Sequence, residues 1–78
     1  MGVRMDTLAS TYKYRDDRGL QHFVAELYAD ETSDISGVTT FGTIVADPNS
    51  VAYVVQSGKL YVMGGDNKWY DTDGNEVE

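Results

Sequence analysis

Apolar residues in this chain come in short runs, each closed by turn-forming residues, and the short spacing predicts strands rather than helices. Asp16-Asp17-Arg18-Gly19 divides Thr11–Arg15 from Leu20–Ala29. Ser57-Gly58 divides Val51–Gln56 from Lys59–Met63, and Gly64-Gly65-Asp66-Asn67 divides that run from Lys68–Thr72. Asp73-Gly74 closes the last of these. Phe41–Ala46 ends at Asp47-Pro48-Asn49, where Pro fixes φ and Asn tolerates unusual dihedrals. Between the halves, Asp30–Val38 is rich in Asp, Ser and Thr and is expected to be an irregular loop with a helical turn around Ser33–Gly37.

Register arithmetic gives each hairpin its faces. A two-residue Asp17-Arg18 loop opposes Tyr14 to Gln21, Tyr12 to Phe23, Ser10 to Ala25 and Leu8 to Leu27, and opposed residues share a face. The other face then holds Thr11, Lys13 and Arg15 with Leu20, His22, Val24 and Glu26, which suits a half-buried antiparallel pair. A helix over Leu20–Ala29 is the rival, since Phe23 and Leu27, and Val24 and Tyr28, lie four apart. The hairpin is preferred.

A Ser57-Gly58 loop opposes Val55 to Leu60, Val54 to Tyr61, Tyr53 to Val62 and Ala52 to Met63. One face then collects Val51, Tyr53, Val55, Leu60, Val62 and Trp69. The other collects Ala52, Val54, Tyr61, Met63 and Tyr70. Both are apolar, so each needs a cover, and the N-terminal hairpin can supply only one. Trp69, Val62, Leu60 and Tyr53, which include the largest ring, are expected to form the internal core. Ala52, Val54, Tyr61, Met63 and Tyr70 are then the partner-interface candidates. The expected fold is a single all-β domain over residues 1–78: an N-terminal β-hairpin and a C-terminal three-stranded antiparallel meander in a small sandwich or barrel-like arrangement. Residues 1–6 are expected to be a flexible arm and residues 30–38 an irregular loop.

Composition narrows function by exclusion. The 78 residues carry 6 Lys and Arg against 13 Asp and Glu, a net charge of −7, so no nucleic-acid partner is expected. Residues 29–78 hold only Lys59 and Lys68 against nine acids, which suits a charged docking face or plain solubility. Hydrophobic residues make up 41% and aromatics 12%, too many for a disordered segment. There is no Cys, which excludes disulfides and thiolate metal sites. The apolar runs are far shorter than a membrane span, so no membrane partner is expected. Met1–Asp6 turns polar before any apolar stretch, so no signal peptide is expected, and Asp6 stands where a myristoylation motif needs Ser or Thr.

His22 is the single histidine and is expected at a solvent edge, without a second histidine or a Gly-x-Ser-x-Gly elbow to build a relay. Gly64-Gly65 lacks any phosphate-loop context. Asp71-Thr72-Asp73-Gly74-Asn75-Glu76 resembles a calcium loop, but Gly74 falls at position four rather than six, and a turn explains the same residues. Tyr53, Tyr61, Trp69 and Tyr70 could stack on a sugar, although rings equally suit half-buried strands. No catalytic residue, cofactor or metal is assigned.

Three stretches carry a family resemblance: Asn49–Val55, then Lys59-Leu60-Tyr61-Val62-Met63, then Lys68-Trp69-Tyr70. Together with Tyr12–Asp16 and Phe23–Tyr28, they resemble small structural and accessory proteins of tailed bacteriophages and prophages, of head-decoration or fibre-base type. The resemblance spans roughly residues 10–71 and rests on patterns to which β-hairpins converge. It implies a non-enzymatic virion protein, made in the bacterial cytoplasm, whose partners are capsid or tail proteins. A soluble host- or carbohydrate-binding module and a small regulatory interaction protein are the alternatives. Lacking a disulfide or metal to supplement a small core, the chain is also expected to be a homo-oligomer or to bind a larger lattice.

Overall fold

The computed structural model describes residues 2–77. The chain is all-β, as expected, with no α-helix among the described residues and therefore none that could cross a membrane. Among the described residues, nine strands form two mixed sheets that do not close into a barrel. They are β1 (Val3–Met5), β2 (Thr11–Arg15), β3 (Gln21–Val24), β4 (Glu26–Ala29), β5 (Thr40–Phe41), β6 (Ile44–Ala46), β7 (Val51–Val54), β8 (Lys59–Met63) and β9 (Trp69–Asp71). One sheet has the order β1-β4-β7-β8-β9 and the other β2-β3-β6-β5.

The expected N-terminal hairpin is present as β2–β3 and the expected C-terminal antiparallel meander as β7–β8–β9. Each is embedded in a larger mixed sheet rather than standing as a separate unit. Residues 21–29 pass from the four-stranded sheet into the five-stranded one as β3 and β4, and residues 44–54 do the same as β6 and β7. The two segments run parallel, β3 with β6 and β4 with β7. Parallel neighbours need a long crossover, and residues 30–43 supply it. The stretch expected to be a loop is therefore that connection, with a 3₁₀ turn at Thr32–Asp34. It is anchored by Ile35, which is wholly buried, and by the Trp69 indole N–H, which donates to the Val38 carbonyl at 2.8 Å.

Where a strand changes sheets, its ladder breaks, and buried backbone donors still need acceptors. Two serines provide them. The Ser50 hydroxyl, wholly buried, accepts from the Ala25 N–H at 2.9 Å and donates to the Phe23 carbonyl at 3.3 Å. The Ser10 hydroxyl accepts from the Glu26 N–H at 2.9 Å and donates to the Asp6 carbonyl at 2.7 Å. The second crossing turns at Asp47-Pro48-Asn49-Ser50, where Asn49 has φ 78° and the Ser50 N–H closes on the Asp47 carbonyl at 3.0 Å. Pro followed by a left-handed Asn is type II turn chemistry.

Loop length corrects three registers. In the first hairpin the loop has three residues, because Gly19 at φ 82° lets Asp16 N–H reach the Leu20 carbonyl. Tyr14 therefore opposes His22 rather than Gln21, and a bulge between Tyr12 and Tyr14 restores Tyr12 opposite Phe23. Beyond Thr11 the pairing stops: Leu8 is exposed, and Leu27 pairs with Met5. Residues 3–5, expected in a loose arm, are thus an edge strand. Between β7 and β8 the loop spans residues 55–58, so Tyr53 opposes Leu60 and Ala52 opposes Tyr61, a two-residue shift that keeps the faces.

Between β8 and β9 the shift is odd. Left-handed Asn67, at φ 63°, closes a three-residue loop, Met63 opposes Trp69, and a one-residue slip flips every later side chain. Trp69 therefore lies on the face of Ala52, Val54, Tyr61 and Met63. That face, with Leu27, Ala29, Ile35 and Ala46, is the core.

Four of the five interface candidates are corrected by this arrangement. Ala52, Val54, Tyr61 and Met63 are buried inside the chain, because Trp69 and the crossover cover them. Tyr70 lies half-buried on the opposite side of the sheet, with Val62. Of the expected core, Trp69 is buried as expected, whereas Tyr53 and Leu60 face outward, 38% and 41% exposed, and Val62 lies half-buried on their side.

Candidate functional site: a clamped histidine and an uncovered sheet face

Two features stand out, and each follows from the loops just described. The first is His22. The three-residue loop after Asp16 sets Tyr14 beside it, and the rings stack 4.3 Å apart at 11°. The same loop turns Asp16 back over the strand. Its Oδ1 accepts the N–H groups of Arg18 and Leu20 at 2.9 and 3.0 Å, and Oδ2 meets His22 Nε2 at 2.9 Å and Arg18 Nη2 at 3.0 Å. From the other side, the crossing turn brings Asp47 Oδ1 to 2.6 Å from His22 Nδ1.

The expected solvent-edge histidine is instead 9% exposed, held between two carboxylates from different turns. Hydrogen bonds to Asp16 and then Asp47 raise its pKa above the usual 6.5 and outweigh burial, which opposes the charge. As an imidazolium it donates through both nitrogens. The His22 bond is likewise the main reason the Asp16 carboxyl lies well below the usual carboxylate range, with the Leu20 and Arg18 donors adding to it. With both nitrogens engaged, the ring ties the β2–β3 turn to the β6–β7 turn. For the ring to exchange a proton with a bound substrate, that substrate would first have to displace one of the two carboxylates. Beside it opens a polar cleft of about 490 Å³, bounded by the hairpin loop, Thr39, Thr40, Pro48 and the Gly65–Asn67 loop.

The second feature is the outer face of the five-stranded sheet. Cross-strand registers place Arg4, Tyr28, Tyr53 and Leu60 in one row and Glu26, Val51, Val62 and Tyr70 in the next. Tyr28 and Tyr53 meet edge to face at 6.4 Å. Tyr28 donates its hydroxyl to Glu26 at 2.9 Å, and Tyr70 donates to Asp66. Val55, at the end of the sheet, is 52% exposed.

The remaining candidates resolve more simply. Asp71 Oδ1 accepts the N–H groups of Asp73 and Asn75, both at 2.9 Å, with Gly74 left-handed at φ 87°, so the calcium-like stretch is a turn built as at Asp16. Among the described residues, no cluster of three or more His, Asp or Glu is placed to hold a metal ion. The four rings considered for a sugar platform are divided, Tyr61 and Trp69 inside and Tyr53 and Tyr70 on the outer face. Compared with known family models, curated proteins and solved structures, the chain matches none.

Proposed function

We propose that this chain is a non-enzymatic accessory subunit of a tailed-phage particle, docking on a capsid or tail lattice through the outer face of its five-stranded sheet. One observation carries the reading. The sheet's inner face already fills the core, yet its outer face still presents Tyr28, Tyr53, Leu60, Val51 and Val62. A contiguous apolar and aromatic patch on so small a domain marks an interaction surface. Tyrosine suits it, because the ring buries area while its hydroxyl keeps a polar partner. The acidic balance and the resemblance in residues 10–71 support the same assignment, and self-association through this face is its homo-oligomeric form. The occupied ring nitrogens of His22 favour a structural role over a catalytic one.

Mass spectrometry of purified particles tests the reading. The protein is expected in stoichiometric amount with the other structural proteins. Its recovery only from the soluble lysate, with none in the particles, would overturn the assignment.

A further inference from the structure

The cleft beside His22 lies on the four-stranded sheet, away from the proposed docking face, and its chemistry selects for one kind of ligand. With His22 protonated, the cleft's charges cancel in pairs. Asp16 faces both the Arg18 guanidinium and the His22 ring, and Asp47 faces the other nitrogen of that ring. A cation would compete with Arg18 and His22 for carboxylates they already hold. An anion would meet two carboxylates and a guanidinium already paired with one of them. An apolar ligand would desolvate the Thr39 and Thr40 hydroxyls and the Asn67 amide without replacing their hydrogen bonds.

What remains is a neutral ligand rich in hydroxyls, with an apolar patch to set against a ring. The wall supplies the ring, since Tyr14 is stacked on His22 yet still 51% exposed. Thr39, Thr40, Asn67 and Asp47 line the same space, and their side chains between them carry both donors and acceptors. The volume, about 490 Å³, falls within the range of small-molecule sites.

We propose that this cleft binds an uncharged saccharide, with Tyr14 as the stacking wall and Thr40, Asn67 and Asp47 as the hydroxyl-reading groups. The proposal goes beyond the docking role and does not depend on it. Binding is expected to be weak, with a Kd on the order of 1 mM for a single sugar unit, as suits a small open polar site.

The test is a titration of the full chain, followed by amide chemical shifts, with glucose, galactose, N-acetylglucosamine and their disaccharides. Glucose 6-phosphate and glucosamine form the anionic and cationic arms. At least one neutral sugar should move the amides of Tyr14, Thr39, Thr40, Asp47 and Asn67 together, saturably, and more tightly than either charged analogue. A stronger response to a disaccharide would assign the site to the interior of a glycan chain rather than to a free sugar. Asn67→Gly keeps the left-handed backbone while removing the amide, and Thr40→Val keeps shape while removing the hydroxyl. Each should weaken binding about fivefold, the worth of one hydrogen bond, with unchanged circular dichroism. No saturable shift with any neutral sugar, tighter binding of a charged analogue, or full affinity in both variants would overturn the proposal.

Discussion

Ser50→Ala isolates the device that lets one strand serve two sheets. Ser50 is wholly buried, and its hydroxyl is the acceptor for the Ala25 N–H at 2.9 Å, where residues 21–29 leave one sheet for the other. Phe23 O loses little, because it also accepts from the Asp47 N–H at 2.9 Å. Among the described residues the Ala25 donor has no such second partner, so the substitution leaves a buried N–H unpaired at a cost of about 1–3 kcal/mol. For a domain of this size, each 1 kcal/mol lowers the melting temperature by about 4–8 °C, so thermal unfolding should shift down by between about 4 and 24 °C. Hydrogen exchange at the Ala25 amide should accelerate more than at Leu27, which lies within the ladder. Ser57→Ala, at an exposed loop serine, is the control and should stay within about 0.5 kcal/mol of the wild type. If Ser50→Ala also stays within that margin and Ala25 exchange is unchanged, the hydroxyl is not what sustains the crossing.

Two further outcomes follow from the loops and the clamp. The raised pKa of His22 contributes stability that is full below pH 6.5 and lost as pH rises through its folded-state pKa. The depressed pKa of Asp16 contributes stability present above 3.8 and lost as pH falls through its own. Melting temperature against pH should therefore fall on both sides of a mildly acidic maximum, and His22→Gln should flatten the alkaline limb; an unchanged alkaline limb in that variant would refute the clamp. Gly64→Ala would place a Cβ 2.9 Å from both Tyr70 Cε1 and Asp66 Oδ1, so overpacking should cost about 1–3 kcal/mol in chemical denaturation. Gly65→Ala, with no atom within 4 Å of its Cβ, should not.

The all-β character was legible in the sequence because turn residues punctuate it so densely, and Pro48-Asn49 named its turn correctly. Face assignment depended on loop parity, which depends on a single left-handed residue. Gly19 and Asn67 each close a loop of odd length, and each changed which side chains lie together. That is how Trp69 joined Tyr61 and Met63 in the core rather than Leu60 and Val62, and how His22 came beside Tyr14. An Asp-x-x-Gly spacing, present at Asp16 and again at the Asp71 turn, was the available signal for the first of these loops; the Asn67 loop lacks it.

The parallel pairing of β3 with β6 and β4 with β7 left no comparable mark. Its crossover is polar and short of apolar periodicity, and its one wholly buried residue, Ile35, does not distinguish it from a loop. The Asp16–His22–Asp47 clamp was hidden for the same reason, since Asp47 reaches His22 only across that parallel pair.

The outer sheet face is tested most directly by co-sedimentation of the purified protein with particles that lack it. The double variant Tyr53→Glu, Leu60→Lys places charge on the opposed, outward-facing pair, with the two signs attracting across the strands so that the fold is kept. The wild type should sediment with the particles. The double variant, with a melting temperature close to the wild type, should remain in the supernatant. Equal sedimentation of the two, or none of the wild type, would contradict docking through this face.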